Sequence, residues 1–158
     1  VGWLGQGGRV PRGYLGDPHK TIATFPRIDG TTWAVAGDRA RPRPDGSIEL
    51  LGRESVTINT GGEKIFAEEV EQALKDHPAV FDVLVVGRPS EQWGQEVTAV
   101  VAVRPGRSVT LEELREVGGR HLARYKLPRA LVTVDAVQRS PSGKPDYAWA
   151  RDAVASPQ

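Results

Sequence analysis

The chain has 158 residues, 39% of them hydrophobic and 26% charged, and its 21 lysines and arginines nearly balance 20 aspartates and glutamates. This suits an ordinary globular domain with a real core, and interspersed charge of this balance favours neither nucleic acid nor an acidic membrane as a partner. The absence of cysteine excludes a disulfide framework, a thiolate nucleophile and cysteine-ligated zinc, agrees with a reducing cytoplasm, and is joined by the lack of any apolar run near the ~18–20 residues that span a bilayer.

The opening "VGWLGQGGRV" reads as mid-domain sequence without the apolar core of a signal peptide, so a piece of a longer, soluble and cytoplasmic polypeptide is expected. Residues 1–52 are rich in Gly, Pro and Arg, with turn signals at "GDPH", "RIDG" and "RPDG" between short runs such as "TTWAVA" and "SIELLG", which predicts irregular β structure. The texture changes near residues 52–56, and a boundary there divides the chain into residues 1–52 and 53–158. "VTINTGGEKIF" reads as two short strands around a Gly-Gly turn, and residues 67–77 as a helix with Val70, Ala73 and Leu74 on one face before Pro78 ends it. "AVFDVLVVG" and "EVTAVVAV" are strands, the second with Val97, Val101 and Val103 in the pattern of a half-buried sheet. Thr110 and Glu113 form a capping box that opens a helix through about residue 124, interrupted in propensity by Gly118 and Gly119. A strand "ALVTVDAV", a loop "SPSGKPDY" and a terminal helix around "DYAWARDAV" complete the order β-β-α-β-β-α-β-α. That order predicts an α+β fold, a small, mostly antiparallel sheet with flanking helices.

Most familiar sites can be struck out. Lys144 follows Gly143, but Gln138 stands where a P-loop has its first glycine and Pro145 where it has Ser or Thr. "GQGGRV" lacks the third glycine of a dinucleotide fingerprint and precedes no helical pattern. His19, His77 and His121 share no ligand spacing, so no metal site is expected, and there is no G-x-S-x-G elbow. Asp38, Arg53, the Gly61-Gly62 turn and Lys144 remain. Taken singly, Asp38 and Arg53 read as turn and strand-end charges and Lys144 as a solvated surface cation. Residue chemistry alone leaves the function open.

Taken together and in order, these segments resemble the C-terminal part of the AMP-forming adenylating enzymes, the superfamily of acyl-CoA synthetases, peptide-synthetase adenylation domains and luciferases. "GRVPRGYLGDPHKTIATF" is similar to the family's GY and DP segment, "WAVAGDRARPRPDGSIELLGRES" to its GD, DG and GR segment, "VTINTGGEKIFAEEVE" to its G and EIE segment, and "RYKLPRALVTVDAVQRSPSGKPDY" to its YK, VD and GK segment. The stretch "GRESVTINTGGEKIFAEEVE" looks most like bacterial fatty-acyl or steroid side-chain CoA ligases.

The resemblance implies a two-step ligase. A carboxylic acid attacks the α-phosphate of ATP to give acyl-AMP, and the thiol of CoA then displaces AMP. It implies that Asp38 and Arg53 bind the nucleotide ribose, that Lys144 bridges the reacting carboxylate and the nucleotide, and that the Gly61-Gly62 turn borders the CoA channel. It further implies a hinge just after Arg53, with Ser55 where relatives carry Asp or Lys, about which the small domain rotates between half-reactions. Tyr147 stands where many relatives carry a basic residue. The phosphate loop, the Mg2+ site, the acyl pocket and the adenine-stacking aromatic would all precede residue 1, within the large N-terminal domain whose tail is residues 1–52. The chain alone is then expected to be inactive, with apolar edges that favour self-association. Two other readings stay open: an adenylation domain serving a carrier protein, and a non-catalytic nucleotide- or protein-binding module.

Overall fold

The computed structural model describes residues 1–155. They fall into two compact units, Val1–Ser55 and a second that begins at Val56.

The first unit holds strands β1 (Gly2–Trp3), β2 (Arg27–Ile28), β3 (Thr31–Thr32), β4 (Asp38–Pro42) and β5 (Ile48–Arg53), with one helix, α1 (Pro18–Thr24). Strands β1, β4 and β5 form an antiparallel sheet, and β2 and β3 a separate hairpin. The helix departs from the all-β expectation for residues 1–52. Its cause is local: the Asp17 carboxylate accepts from the Lys20 N–H at 2.9 Å, and Pro18 occupies the first turn, where its missing N–H costs nothing. "TTWAVA" pairs as β3 and then as an isolated bridge from Ala34 to Gln6. The unit is thin. Only Ala40 and Leu51 among its apolar side chains are buried, while Trp3, Leu15, Ile22, Ile48 and Leu50 are exposed.

The second unit follows the predicted order: β6 (Thr57–Thr60), β7 (Glu63–Phe66), α2 (Ala67–Leu74), β8 (Val80–Ser90), β9 (Gly94–Val103), α3 (Leu111–Gly118), β10 (Ala130–Val134) and α4 (Tyr147–Ala155). Every pairing in its sheet is antiparallel except β9 with β10, which are parallel. On one face α2 and α3 pack Val70, Leu74 and Leu114 against Ile58, Val83, Val85, Val97 and Val101. On the other, Ala150 and Val154 of α4 cover Leu84, Val86 and Val100. Each fully buried Val or Leu stabilises by about 1.5–3 kcal/mol, so β8 and β9 are the centre of the unit.

Two expectations need correction. β9 is not half-buried: residues Val97 to Ala102 are all buried, because α4 returns over the face that the alternation left for water, and only the ends of the strand, Gly94 to Glu96 and Val103, reach the surface. The helix opened by Thr110 has the expected capping box but stops at Gly118, well short of residue 124. A Cβ on Gly118 would lie 3.2 Å from the Leu127 and Leu74 side chains, so the glycine lets a turn carry Leu122 and Leu127 back into the core. His121 therefore sits beyond the helix, where its ring meets Asp76 at 3.3 Å.

Candidate active-site groups on the two units

On the first unit, antiparallel register sets Asp38 of β4 directly opposite Arg53 of β5. The Arg53 Nε lies 3.4 Å from Asp38 Oδ1, with the arginine side chain 61% and the aspartate 27% exposed. A pair this open is worth little to stability. Its geometry leaves the carboxylate ready to accept from a ligand's hydroxyls, and charge-assisted bonds of that kind are the stronger class. Beside it, an open apolar pocket of about 790 Å3 is lined by residues that include Trp3, Pro26, Ile28, Trp33, Val35 and Gly37. Ser55 lies in a 3-10 turn, Glu54–Val56.

On the second unit, Gly61 and Gly62 are the two central residues of the β6–β7 hairpin, at φ +56° and +86°, between the paired Thr60 and Glu63. Two consecutive positive φ angles are what a two-residue hairpin of matching twist requires, which is why both are glycine. The Gly61 N–H donates to the Trp93 carbonyl at 2.9 Å, and a Cβ at Gly61 would lie 3.1 Å from the Trp93 ring. The Arg129 guanidinium sits 4.2 Å from the centre of that ring. Trp93 belongs with Arg115, Arg124, Tyr125, Leu127 and Arg129 to a shallow cleft. Three guanidiniums beside two aromatic faces make a surface for a planar anion. Sequence reasoning missed this cleft, because its residues are spread from 93 to 129 and only the aromatic and arginine content of "RYKLPR" hinted at it.

Lys144 is exposed, on the loop between β10 and α4. The loop is short and internally bonded. The Ser140 N–H donates to the Lys144 carbonyl at 2.9 Å, the Gly143 N–H to the Ser140 carbonyl at 2.8 Å, and the Lys144 N–H to Ser140 Oγ at 3.2 Å. Gly143 takes φ +79° to close the turn. Among the described residues no ion pair or hydrogen bond engages the Lys144 ammonium.

Both ends of this loop are tied to the sheet and to α2. Before it, Arg139 donates from Nε and Nη2 to the two oxygens of Asp82 on β8, each at 2.8 Å, and from Nη1 to the Gly143 carbonyl at 3.2 Å. Burial alone would raise the Asp82 carboxyl, but hydrogen bonds from Arg139 and from the Val83 N–H outweigh it and hold that carboxyl below the ordinary range. After the loop, the Asp146 carboxylate caps α4 by accepting from the Trp149 N–H at 3.0 Å. Next, the Tyr147 hydroxyl donates to Glu71 Oε2 at 3.2 Å, while Glu71 Oε1 accepts from the Val85 N–H at 2.9 Å. Glu71 is 5% exposed. Burial pushes its carboxyl up to about 7, and burial together with the charge of Glu71 pushes the Tyr147 phenol up as well.

The structure thus brings Asp38 and Arg53 together on one unit, and carries the Gly61-Gly62 turn and Lys144 on the other. Among the described residues no cluster of three or more His, Asp or Glu is placed to hold a metal ion, and no helix is long and apolar enough to cross a membrane.

The model of the AMP-binding enzyme C-terminal domain matches residues 69–144. The chain is 62% identical over 152 residues to the medium-chain acyl-CoA ligase Mig of Mycobacterium avium, an alignment that covers 96% of the chain and 28% of that protein. It is 53% identical over 152 residues to 3-oxocholest-4-en-26-oate–CoA ligase of Rhodococcus rhodochrous, covering 96% of the chain and 27% of that relative. The chain thus spans little more than a quarter of the length of these relatives. In fold it is similar to o-succinylbenzoate CoA synthetase (MenE) from Bacillus subtilis in complex with the acyl-adenylate intermediate OSB-AMP, with a TM-score of 0.77 and 28% identity, covering 93% of the chain and 28% of that structure. Over residues 69–144 the chain is similar to the AMP-binding enzyme C-terminal domain.

Proposed function

We propose that the chain is the C-terminal part of a cytoplasmic acyl-CoA ligase that activates a fatty or steroid side-chain carboxylic acid with ATP and passes the acyl group to CoA. The observation that carries this reading is the Lys144 loop, an ammonium without a partner among the described residues, on a turn braced at both ends. Charge builds on the α-phosphate oxygens as the acyl oxygen approaches, and a fixed ammonium stabilises that charge while holding two repelling anions together. A lysine suits this place because it is a compact point charge on a flexible stem, where arginine presents a broad fork.

Asp38 takes the two ribose hydroxyls and Arg53 supports it from the neighbouring strand. The apolar pocket beside them seats part of the large domain upstream, which also supplies the Mg2+ site and the acyl pocket. In isolation the exposed apolar side chains of the first unit then drive self-association. The division of the chain after Ser55 supports a hinge there, about which the second unit turns to withdraw Lys144 and present the Gly61-Gly62 turn to the pantetheine arm. Free CoA is favoured over a carrier protein as acceptor, since the arginine-lined Trp93 cleft beside Gly61 suits the nucleotide end of CoA and a carrier's phosphopantetheine has no such end.

The test is Lys144→Ala in the full-length enzyme, assayed in each half-reaction. Loss of one preorganised donor to a developing anion costs about 3 kcal/mol, roughly a hundredfold in rate, so acyl-AMP formation should fall by at least that factor. Conversion of supplied acyl-AMP to acyl-CoA should be largely retained. Equal loss in both steps would overturn the role given to Lys144.

A further inference from the structure

Lys144 is useful only if its turn is held, and most of the loop's own bonds are short-range contacts at the surface. What ties it to the sheet is Arg139, whose partner Asp82 lies 57 residues away. Asp82 is itself placed by a bulge. Val80 pairs with Val103 and Asp82 with Ala102, so Phe81 is an extra residue and is turned out to solvent. A bulge of this kind re-aims the next side chain, and here Asp82 Oδ1 also accepts from the Val83 N–H at 2.9 Å. The carboxylate therefore has little freedom, and its two bonds to Arg139 fix the plane of the guanidinium. In that plane the third nitrogen meets the carbonyl of Gly143, the residue that precedes Lys144.

We propose that Arg139, locked by Asp82, is a positioning residue for Lys144: its bond to the Gly143 carbonyl sets the direction in which the ammonium leaves the loop. This rests on the reading of Lys144 as the cation of the adenylation step. Arg139 itself touches no substrate. It acts through one backbone carbonyl, and a lysine in its place cannot reproduce the arrangement, because an ammonium lacks the planar fork that serves two carboxylate oxygens and a carbonyl at once.

The experiment uses the full-length ligase as four variants, Arg139→Gln, Arg139→Lys, Lys144→Ala and the double variant Lys144→Ala with Arg139→Gln, each checked for native-like thermal unfolding. Pyrophosphate release reports adenylation, and conversion of supplied acyl-AMP reports thioester formation. A displacement of about 1 Å at a reacting group costs on the order of a hundredfold. Arg139→Gln is therefore expected to lower the adenylation kcat roughly 10- to 100-fold, with KM for ATP and for the acid little changed and thioester formation intact. Arg139→Lys should regain most of the unfolding temperature but little of the adenylation rate. In the Lys144→Ala background, Arg139→Gln should have almost no further effect on adenylation.

A loss shared equally by both half-reactions would overturn the proposal, because that is the mark of a structural role. So would losses that multiply in the double variant, or full recovery with lysine. If Lys144→Ala leaves adenylation untouched, the parent reading of Lys144 has failed. If Lys144→Ala is impaired and Arg139→Gln is normal, only the positioning role has failed.

Discussion

Glu71 offers the sharpest physical test of the second unit. Its carboxyl is buried between α2, β8 and α4, accepts one backbone N–H and one phenol hydroxyl, and feels the charges of Glu68 and Lys75 from α2 and its end and of Arg139 from the loop before α4. Burial raises it from 4.5 to about 7. Below pH 4.5 the carboxyl is protonated whether the chain is folded or not, so it adds no pH dependence. Between 4.5 and 7 the unfolded chain loses the proton first, and stability falls as pH rises. At 1.36 kcal/mol for each pH unit, the gap between 4.5 and about 7 amounts to roughly 3 kcal/mol, all of it lost once the pH exceeds 7. Glu71→Gln replaces the protonated acid by an amide of the same shape that still accepts from Val85 or Tyr147. Urea unfolding at pH 5 and pH 8, followed through the tryptophans, should show the two proteins similar at pH 5 and the variant more stable at pH 8 by up to about 3 kcal/mol. Parallel pH profiles for parent and variant would refute the reasoning.

Three further outcomes follow from the same geometry. Asp38→Asn keeps the shape but removes the charge of the ribose acceptor. Charge-assisted bonds contribute about 1.5–3 kcal/mol, so KM for ATP in the full-length enzyme should rise by roughly tenfold or more. Gly61→Ala places a Cβ at positive φ against Trp93, and calorimetry should record a loss of about 1–2 kcal/mol together with slower thioester formation. Thr110→Ala removes the side-chain half of the capping box on α3, the bond that Thr110 Oγ1 accepts from the Glu113 N–H, and keeps the backbone N–H that donates to Glu113, with an expected cost of about 0.5–2 kcal/mol in chemical denaturation.

Legibility from sequence followed the range of the forces involved. The β6–β7 hairpin was readable because a Gly-Gly pair between β-branched runs has few other uses, and the start of α3 because Thr110 and Glu113 satisfy each other within one turn. The signal for α1 was equally local, an N-cap Asp17 followed by Pro18, but it was outweighed by the Gly and Pro content around it. The end of α3 was not readable, since it depends on Leu74 and Leu127 approaching Gly118 from elsewhere in the chain.

The candidate site divides in the same way. Local patterns in the chain encoded the order of elements in the second unit, the β6–β7 turn and the cap of α3, and the motif positions of Asp38, Arg53, Gly61, Gly62 and Lys144, because each depends on neighbours within a few residues or on a pattern of spacing. Only the tertiary structure decided that β9 is covered on both faces, that Glu71 is buried against Tyr147, and that Asp82 reaches Arg139 across 57 residues. Those facts depend on where α4 and the loop before it return to the sheet. Burial, desolvation and the direction of a guanidinium are properties of that return, and no local pattern encodes them.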